Sequence, residues 1–227
     1  NIGLHRHILY HFKTPPSELL NEHTGRLYEE RSIRGLKDRG IEAIAVYVPF
    51  HLTRSWGIFV FVEKLCGLAY HISRRTCAQF DKVLALCNKA IIRHESFHFQ
   101  TEYSATIMET VIMKPLYLTY FERSRPYDPD EEALANAWMI TSRFDIRGVR
   151  DELMRLCDMS PPGYRDYRRH IIDDRFMSYD DVRRFWAQKF LNEARLIFLP
   201  VKVEMPAGYR LVPIYYVSDA WRKSLIL

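Results

Sequence analysis

Apolar residues recur at three- and four-residue spacing between Cys77 and Tyr103, a stretch that contains neither proline nor glycine. This period places apolar side chains on one face of an α-helix, because a helix makes about 3.6 residues per turn. The pattern is carried by Val83, Leu84, Leu86, Cys87, Ala90, Ile91, Phe97 and Thr101. The sequence therefore predicts one long helix across this stretch.

Two shorter apolar stretches upstream are rich in β-branched and aromatic residues. They run from Ala43 to Phe50 and from Trp56 to Glu63. Such residues are typical of strands. We expect two adjacent strands, with the long helix following directly after the second. Residues 1–40 are polar and rich in His and Arg, and they predict only short helices.

A second helix is predicted downstream, where Asp128 suits an N-cap and Pro129 suits the first helical position. Glu131 follows at the third position, from which its carboxylate can bond back to the backbone N–H of the cap. The sequence Pro161-Pro162-Gly163 then predicts a turn.

The C-terminal part predicts one more helix and a hairpin. Ser178-Tyr179-Asp180-Asp181 forms a capping box that opens the helix. Its apolar stripe predicts a buried face and consists of Val182, Phe185, Trp186, Phe190 and Ile197. The stretches from Leu196 to Val203 and from Tyr209 to Val217 flank Pro206-Ala207-Gly208 and predict a terminal β-hairpin.

These elements predict an α+β fold, in which a small twisted sheet packs on the long helix, with additional C-terminal helices and the terminal hairpin. A chain of 227 residues can bury a sizeable core. We predict a first domain in residues 1–142 and a helical extension in residues 143–227 that packs on it.

His94, Glu95 and His98 form an H-E-x-x-H sequence within the long predicted helix. Positions i and i+4 lie about 5–6 Å apart on one face, so both imidazoles can bind one metal ion. In such sites Zn²⁺ takes a third protein ligand, and its open position carries a water whose pKa falls to about 7. Glu95 is placed to accept that water's proton. The alternative is that the two histidines only cap or pack on an amphipathic face.

Several downstream carboxylates are candidates for the third ligand. Glu102 lies on the same helix, a full turn beyond the point where a tetrahedral site could close. Glu109 would need a sharp break in the helix, and Glu122 lies in a charged stretch without a helical partner face. In the next helix, capping gives Glu131 a structural role and leaves Glu132 on a face with small residues. We predict Glu132 as the ligand, with Glu131 as the alternative.

The H-E-x-x-H sequence, followed by Glu132 in an E-x-x-A-N sequence, resembles the ImmA/IrrE type of gluzincin-like zinc metallopeptidase. The resemblance covers about residues 40 to 142 and implies a zincin-type active-site helix. It also implies that His94, His98 and Glu132 bind Zn²⁺ and that Glu95 is the general base.

In zinc peptidases of this general kind, the strand before the metal-binding helix pairs with an extended substrate. That strand would run from Trp56 to Val62 here. The substrate-binding residues would then be Gly57, Ile58, Phe59 and Val60. An ordinary strand inside a sheet is the alternative interpretation.

Cysteine usage and hydropathy favour a reduced, soluble protein, and we expect a cytoplasmic one. Cys66, Cys77, Cys87 and Cys157 form no C-x-x-C pair, so we expect reduced core residues rather than disulfides. No apolar stretch approaches the roughly 18 residues of a membrane span, and no signal peptide is visible, so no membrane association is expected.

The net charge of +5 and the pI near 9.0 raise the question of nucleic-acid binding. Basic residues cluster between Arg143 and Arg175, where Tyr164 and Tyr167 could stack on bases. Aspartates such as Asp166 interrupt the cluster, and it lacks the spacing of a helix-turn-helix or zinc finger. A solvated helix face is the favoured interpretation, which makes nucleic acid a weak candidate partner.

The sequence thus predicts a zinc peptidase that acts on a protein or peptide substrate, with a regulatory protein as the partner that the resemblance suggests. One alternative is a metal-binding or nucleic-acid-associated regulatory protein without turnover. Glu95 argues against it, because a structural zinc needs no base beside an open coordination position. Another alternative is a zinc hydrolase that acts on a small non-peptide substrate.

Overall fold

The computed structural model describes residues 22–123, 128–146, 148–176, 179–191 and 212–218, and the chain folds as a mixed α+β protein. The helices are α1 (Glu22–Arg39), α2 (Val62–Thr76), α3 (Phe80–Ile112), α4 (Tyr117–Arg123), α5 (Pro129–Ile140), α6 (Val149–Asp158) and α7 (Tyr179–Leu191). Two 3₁₀ helices are η1 (Gly40–Ala43) and η2 (Tyr164–His170). The strands are β1 (Ala45–Val48), β2 (Gly57–Phe61), β3 (Ile171–Ile172), β4 (Arg175–Phe176) and β5 (Ile214–Val217).

The predicted long helix is confirmed as α3, which has 33 residues and continues well past Tyr103. Its apolar stripe is buried in the main core, where Val83, Cys87 and Ile91 are fully covered. Burial of each such aliphatic side chain contributes about 1.5–3 kcal/mol. The helix ends at Met113, which adopts a left-handed backbone conformation with φ of 54°.

The two predicted strands are confirmed as β1 and β2, which pair antiparallel with Ala45 opposite Val60 and Val48 opposite Gly57. The predicted last strand of the terminal hairpin is also a strand, β5, and it pairs parallel with β2. The order β1-β2-β5 therefore puts β2 in the centre of the sheet. The other predicted strand of the hairpin, from Leu196 to Val203, lies outside the described residues.

The expectation that the metal-binding helix directly follows the second strand is wrong, because helix α2 lies between them. Helix α2 packs closely on α1 at Gly67, where a Cβ atom would lie 2.1 Å from the backbone oxygen of Tyr28. Helix α1 has 18 residues, so the prediction of only short helices is also wrong for this part of the chain.

A second apolar cluster lies beside the first and includes Phe97 of α3, Tyr120 of α4 and Leu134 of α5. Helix α7 covers it, with Val182, Trp186 and Phe190 buried and Phe185 partly buried, which confirms the predicted stripe for these residues. The indole N–H of Trp186 donates to the Thr101 hydroxyl at 3.0 Å. Ser178 and Ile197 lie outside the described residues.

The described residues after 143 pack on the earlier part of the chain and share its main core. Leu153, Leu156, Tyr164 and Tyr167 belong to the same buried cluster as Ile58. Strand β5 also completes the sheet that begins with β1. The domain boundary at residue 142 stays a prediction.

Cys66, Cys87 and Cys157 are reduced and buried, as expected, and burial raises the pKa of the Cys66 thiol to about 12. Cys77 is exposed instead, because it follows the last residue of α2 in a left-handed conformation with φ of 52°. Among the described residues, no helix has the length and apolar character needed to cross a membrane.

Candidate metal centre

Helix α5 begins as the sequence predicts, and this start sets the position of Glu132. The Asp128 side chain caps the helix by accepting hydrogen bonds from the backbone N–H groups of Asp130 (2.9 Å) and Glu131 (3.2 Å). Helix α5 packs against α3, and its small residues Ala133, Ala135 and Ala137 are fully buried.

Two histidines of α3 and one glutamate of α5 converge on a common point. The Nε2 atoms of His94 and His98 lie 3.3 Å apart. A carboxylate oxygen of Glu132 lies 3.3 Å from Nε2 of His94, and the other oxygen lies 3.6 Å from Nε2 of His98. Within the part of the chain that the structure describes, this is the group of His, Cys, Asp and Glu residues that could hold a metal ion.

The two separations of 3.3 Å, between the two Nε2 atoms and between Nε2 of His94 and the nearer oxygen of Glu132, match those expected between ligands of one tetrahedral ion. Ligand atoms held at about 2.0–2.2 Å from Zn²⁺ at tetrahedral angles are about 3.3–3.6 Å from each other. Moreover, Oε2 of Glu132 is buried and makes no hydrogen bond among the described residues. Two imidazoles and a carboxylate are also a donor set that suits Zn²⁺ and similar transition metals. The residues therefore fit a bound metal ion.

The other carboxylates considered from the sequence lie elsewhere. Glu102 is fully buried and accepts hydrogen bonds from the Tyr47 hydroxyl and from the backbone N–H of His51 at 2.8 Å. Glu109 accepts from two backbone N–H groups at the start of α4. Glu122 is exposed on α4. None of the three belongs to the group around His94.

Glu131 has a different role from the capping bond that we expected. One carboxylate oxygen lies 2.8 Å from Nδ1 of His98, and the other accepts a hydrogen bond from the Tyr120 hydroxyl. The side chain is thus turned toward α3 and α4. A carboxylate at Nδ1 keeps the proton on that nitrogen and leaves the lone pair of Nε2 directed at the metal position. Glu131 is therefore placed to orient a ligand rather than to serve as one.

Glu95 is buried beside the histidines, and its environment moves its titration toward neutral pH. Burial is the largest influence and raises the pKa of Glu95 to about 7, with a further rise from the charge of Glu42. The positive charge of His98 and a hydrogen bond from the backbone N–H of Tyr47 act in the opposite direction. A carboxylate with such a pKa is well matched to proton transfer near pH 7.

The site brings together more carboxyl groups than imidazoles. Burial raises the pKa of Glu132 well above its usual range, and Glu42, Glu131 and Glu95 raise it further, while His98 lowers it. Burial lowers the pKa of His98, but Glu132, Glu131 and Glu95 together raise it to about 10. A dication at this position would compensate the excess of carboxylate charge.

The pKa of His94 moves in the opposite direction from that of His98, and His94 is fully buried. Burial is the main cause that lowers its pKa well below the usual value, and the charge of His98 adds to the effect. Hydrogen bonding with Asn136 acts in the opposite direction. A neutral imidazole is the form that binds a metal ion.

Tyr164 is a residue of this site that the sequence analysis did not assign to it. Its ring lies nearly parallel to that of His94, with centroids 6.3 Å apart. Gly40, at φ of +62°, makes room for it, because a Cβ atom there would lie 2.6 Å from the Tyr164 ring. The sequence offers no signal for this contact, since η1 and η2 are far apart along the chain.

The same burial bears on nucleic-acid binding. Tyr164 and Tyr167 are only 1% and 0% exposed, so neither ring is available to stack on a base. Arg168 is paired with Asp158, and Arg169 with Asp130. These contacts support the interpretation of a solvated face more than that of a nucleic-acid surface.

The residues predicted to bind substrate, Gly57, Ile58, Phe59 and Val60, have no free strand edge to offer. Strand β2 is hydrogen-bonded to β1 on one side and to β5 on the other, and all its residues are buried. A substrate strand therefore cannot add along β2, and the prediction must be corrected.

Strand β1 is the edge strand that contacts helix α3, in the part of the sheet that the structure describes. The backbone N–H of Phe61 bonds to the oxygen of Ile44, and alternate residues of β1 bond to β2 in the same way. Ala45 and Tyr47 therefore direct their backbone groups away from β2. The hydrogen bond from Tyr47 to Glu95 shows that this free edge lies beside the candidate base.

Comparisons of the chain with models of protein families, with curated proteins and with solved structures found no match.

Proposed function

We propose that this protein is a zinc-dependent metallopeptidase that hydrolyses a peptide bond in a protein or peptide substrate. The observation that carries the proposal is the convergence of His94, His98 and Glu132 on one position, with Glu95 beside them. A purely structural zinc site is closed by four protein ligands, whereas a catalytic site has three and an open position. The group contains three such ligands and a neighbouring base.

Zn²⁺ held by His94, His98 and Glu132 would supply a bound water of lowered pKa and a Lewis acid for the substrate carbonyl. Glu95 takes the proton from the attacking water and delivers it to the leaving amine. The backbone N–H of Tyr47 holds the Glu95 carboxylate in place for both transfers.

An extended peptide is the substrate that the free edge of β1 suits. Ala45 presents its backbone N–H and C=O groups at this edge and Tyr47 its C=O group, beside Glu95, and a substrate backbone can bond to them as an added strand. Backbone hydrogen bonds to β1 would then hold a peptide bond of the substrate next to Glu95. It moves the proposed substrate strand from β2 to β1.

A single experiment tests the proposal. Zinc-loaded protein should cleave peptides from a mixed-sequence library, and Glu95→Gln should keep its zinc but lose at least about 10²-fold in rate. Glu63→Gln, at a partly exposed position on α2, is the matched control and should cleave at the wild-type rate. Full activity in Glu95→Gln would refute the mechanism, even with zinc bound.

The burial of the site favours a second candidate function, hydrolysis of a small non-peptide substrate. His94, Glu95 and Glu132 are at most 3% exposed, and the side chain of His98, at 16%, is the most accessible of the four. A narrow opening admits a small molecule more easily than a folded protein. Cleavage of small ester or amide substrates, without cleavage of peptides of six or more residues, would favour this function.

A further inference from the structure

We infer that helix α7 is a strap that holds the three helices around the metal centre in place, so that its docking and the binding of zinc stabilise each other. The inference rests on the metal site of the proposed function, but it does not depend on which substrate is hydrolysed. Three different side chains of α7 contact α3, α4 and α5.

Lys189 joins α7 to the start of α5, the helix that carries Glu132. Its ammonium group lies 2.6 Å from Oδ2 of Asp128 and 3.2 Å from Oδ2 of Asp130. The other oxygen of Asp128 accepts the two backbone N–H groups that begin the helix. The Asp128 side chain is only 8% exposed, so water screens this ion pair less than it screens a surface pair. Lys189 therefore fixes the cap that sets the face of α5 on which Glu132 lies.

Trp186 joins α7 to α3 at the segment that carries the two histidines. Its ring packs on that of Phe97, which lies between His94 and His98 in the sequence, with centroids 5.9 Å apart. Its indole N–H donates to the hydroxyl of Thr101, one turn further along α3. That hydroxyl in turn donates to the backbone oxygen of Phe97 at 3.2 Å. Trp186 therefore contacts α3 through both its ring and its N–H group, within one turn of the histidines.

Phe190 joins α7 to α4, and through α4 to the partner of His98. Its ring meets the Tyr120 ring edge-on, with centroids 5.1 Å apart. The Tyr120 hydroxyl donates to Glu131, whose other oxygen lies 2.8 Å from Nδ1 of His98. The position of α7 is thus connected to both histidines and to the helix of the third ligand.

These contacts couple two equilibria, the docking of α7 and the binding of zinc. Zinc needs the ligands of α3 and α5 in one arrangement, and α7 contacts both helices in that arrangement. Two events that favour the same arrangement stabilise each other by the same factor, typically about 5- to 150-fold. A change that undocks α7 would therefore lower the affinity for zinc by that factor, which makes α7 a regulatory element of the site.

Hydrogen exchange of the wild-type protein tests the coupling without any substitution. Exchange of backbone amides is measured with zinc bound and with chelator present, under conditions in which α7 opens locally. Zinc should slow the exchange of the Trp186 and Phe190 amides about 5-fold or more beyond its effect on amides of α1, which packs on α2. Equal effects of zinc on α7 and α1 would overturn the inference.

A pair of substitutions on α7 tests the same coupling through zinc affinity. Lys189→Met removes the ammonium group and keeps the length of the side chain, and competition with a chromophoric chelator should show affinity about 5-fold or more lower. The sign is decisive, because removing a positive charge near a dication would by itself raise the affinity. Gln188→Met, at the exposed neighbouring position, is the matched control and should bind zinc as wild type does. Unchanged or higher affinity in Lys189→Met would overturn the inference.

Zinc binding and peptide cleavage separate this inference from the proposed function. Absence of peptide cleavage in a protein that shows both zinc effects would overturn the peptidase proposal alone and leave the role of α7 standing. Failure of wild type to bind zinc at all would overturn both.

Discussion

Two clusters along the same face of α3 each combine histidine with glutamate, yet they serve different purposes. In the metal centre, His94, His98 and Glu132 direct three ligand atoms at one point. In the second cluster, His51 uses its two ring nitrogens on two different carboxylates, with Nδ1 2.7 Å from Glu102 and Nε2 3.1 Å from Glu109. We call these groups the metal centre and the His51 cluster.

The two groups differ in whether the carboxylate oxygens of their buried glutamates, Glu102 and Glu132, all have hydrogen-bond partners. Both oxygens of Glu102 accept hydrogen bonds, from the backbone of His51 and Phe50 and from the Tyr47 hydroxyl. In the metal centre, Oε2 of Glu132 is buried and makes no hydrogen bond to other described residues. A saturated cluster fastens the β1–β2 loop and α4 to α3, whereas an unsaturated one is suited to a ligand. Residue types alone do not separate the two.

The largest expected difference follows from removing one histidine of each group. His94→Ala should abolish stoichiometric zinc binding and the rise in Tm that zinc produces, because bound metal stabilises only the folded state. His51→Ala should keep zinc but lower stability by about 1–3 kcal/mol, since it removes the imidazole contact to Oε1 of the buried Glu102 carboxylate and keeps only the backbone N–H bond to that oxygen. Metal analysis and thermal unfolding with and without chelator measure both. Equal zinc loss in the two variants would break the comparison.

Substitution of Glu132, the proposed third ligand, should have the second-largest effect on zinc binding. Glu132→Gln should weaken zinc binding sharply, because a neutral amide is a much poorer partner for a dication than a carboxylate. Glu102→Gln, also fully buried and one turn beyond His98, is the matched control and should bind zinc as wild type does. Chelator competition compares the two. If Glu102→Gln lost zinc and Glu132→Gln kept it, zinc would bind in the His51 cluster, and the assignment of the metal centre would be wrong.

The orientation of His98 sharpens the comparison further. Glu131→Gln should lower zinc affinity about 10-fold while leaving the helix start intact, because the amide accepts the Nδ1 proton less strongly than the carboxylate does. The helix cap remains Asp128. The capping role assigned to Glu131 from the sequence would instead give wild-type affinity and a loss of stability alone. Zinc competition and unfolding of the zinc-free protein distinguish the two results.

The smallest effect concerns pH in the His51 cluster. Burial tends to raise the pKa of Glu109, but bonds from Leu116 N–H, Tyr117 N–H and His51 hold it below its usual value of 4.5. A lowered pKa stabilises the folded state above pH 4.5, and that contribution is lost as the pH falls through the folded-state pKa. Thermal unfolding across pH 3–7 in the presence of chelator should show a shallower acid decline in Glu109→Gln. An identical decline would contradict this.

The sequence was sufficient to predict that His94, His98 and Glu132 come together, because local rules determine the direction of each side chain. The i and i+4 spacing sets His94 and His98 on one helix face, and the cap at Asp128 sets the face of Glu132. Even here the prediction for Glu131 was incomplete, since its partners Tyr120 and His98 come from other helices. Local patterns fix the direction of a side chain more reliably than its partner.

The parts that the sequence did not predict depend on contacts between distant segments. Gly40 brings η1 against Tyr164, a contact without any local pattern. The central position of β2 follows from parallel pairing with β5, more than 150 residues later in the chain. The sequence analysis therefore placed the substrate on β2, although the edge nearest to Glu95 belongs to β1. Long-range pairing decides which strand edge is free.

The metal environment itself tests the central claim most directly. Purified protein should contain one zinc ion per chain, and X-ray absorption at the zinc edge should show two imidazole nitrogens and one carboxylate oxygen at about 2.0–2.2 Å, with one further light-atom ligand. His94→Ala should lose this spectrum, while the His51→Ala protein should retain it unchanged. Sub-stoichiometric zinc in wild type, a sulfur ligand, or a spectrum altered by loss of His51 would contradict the account.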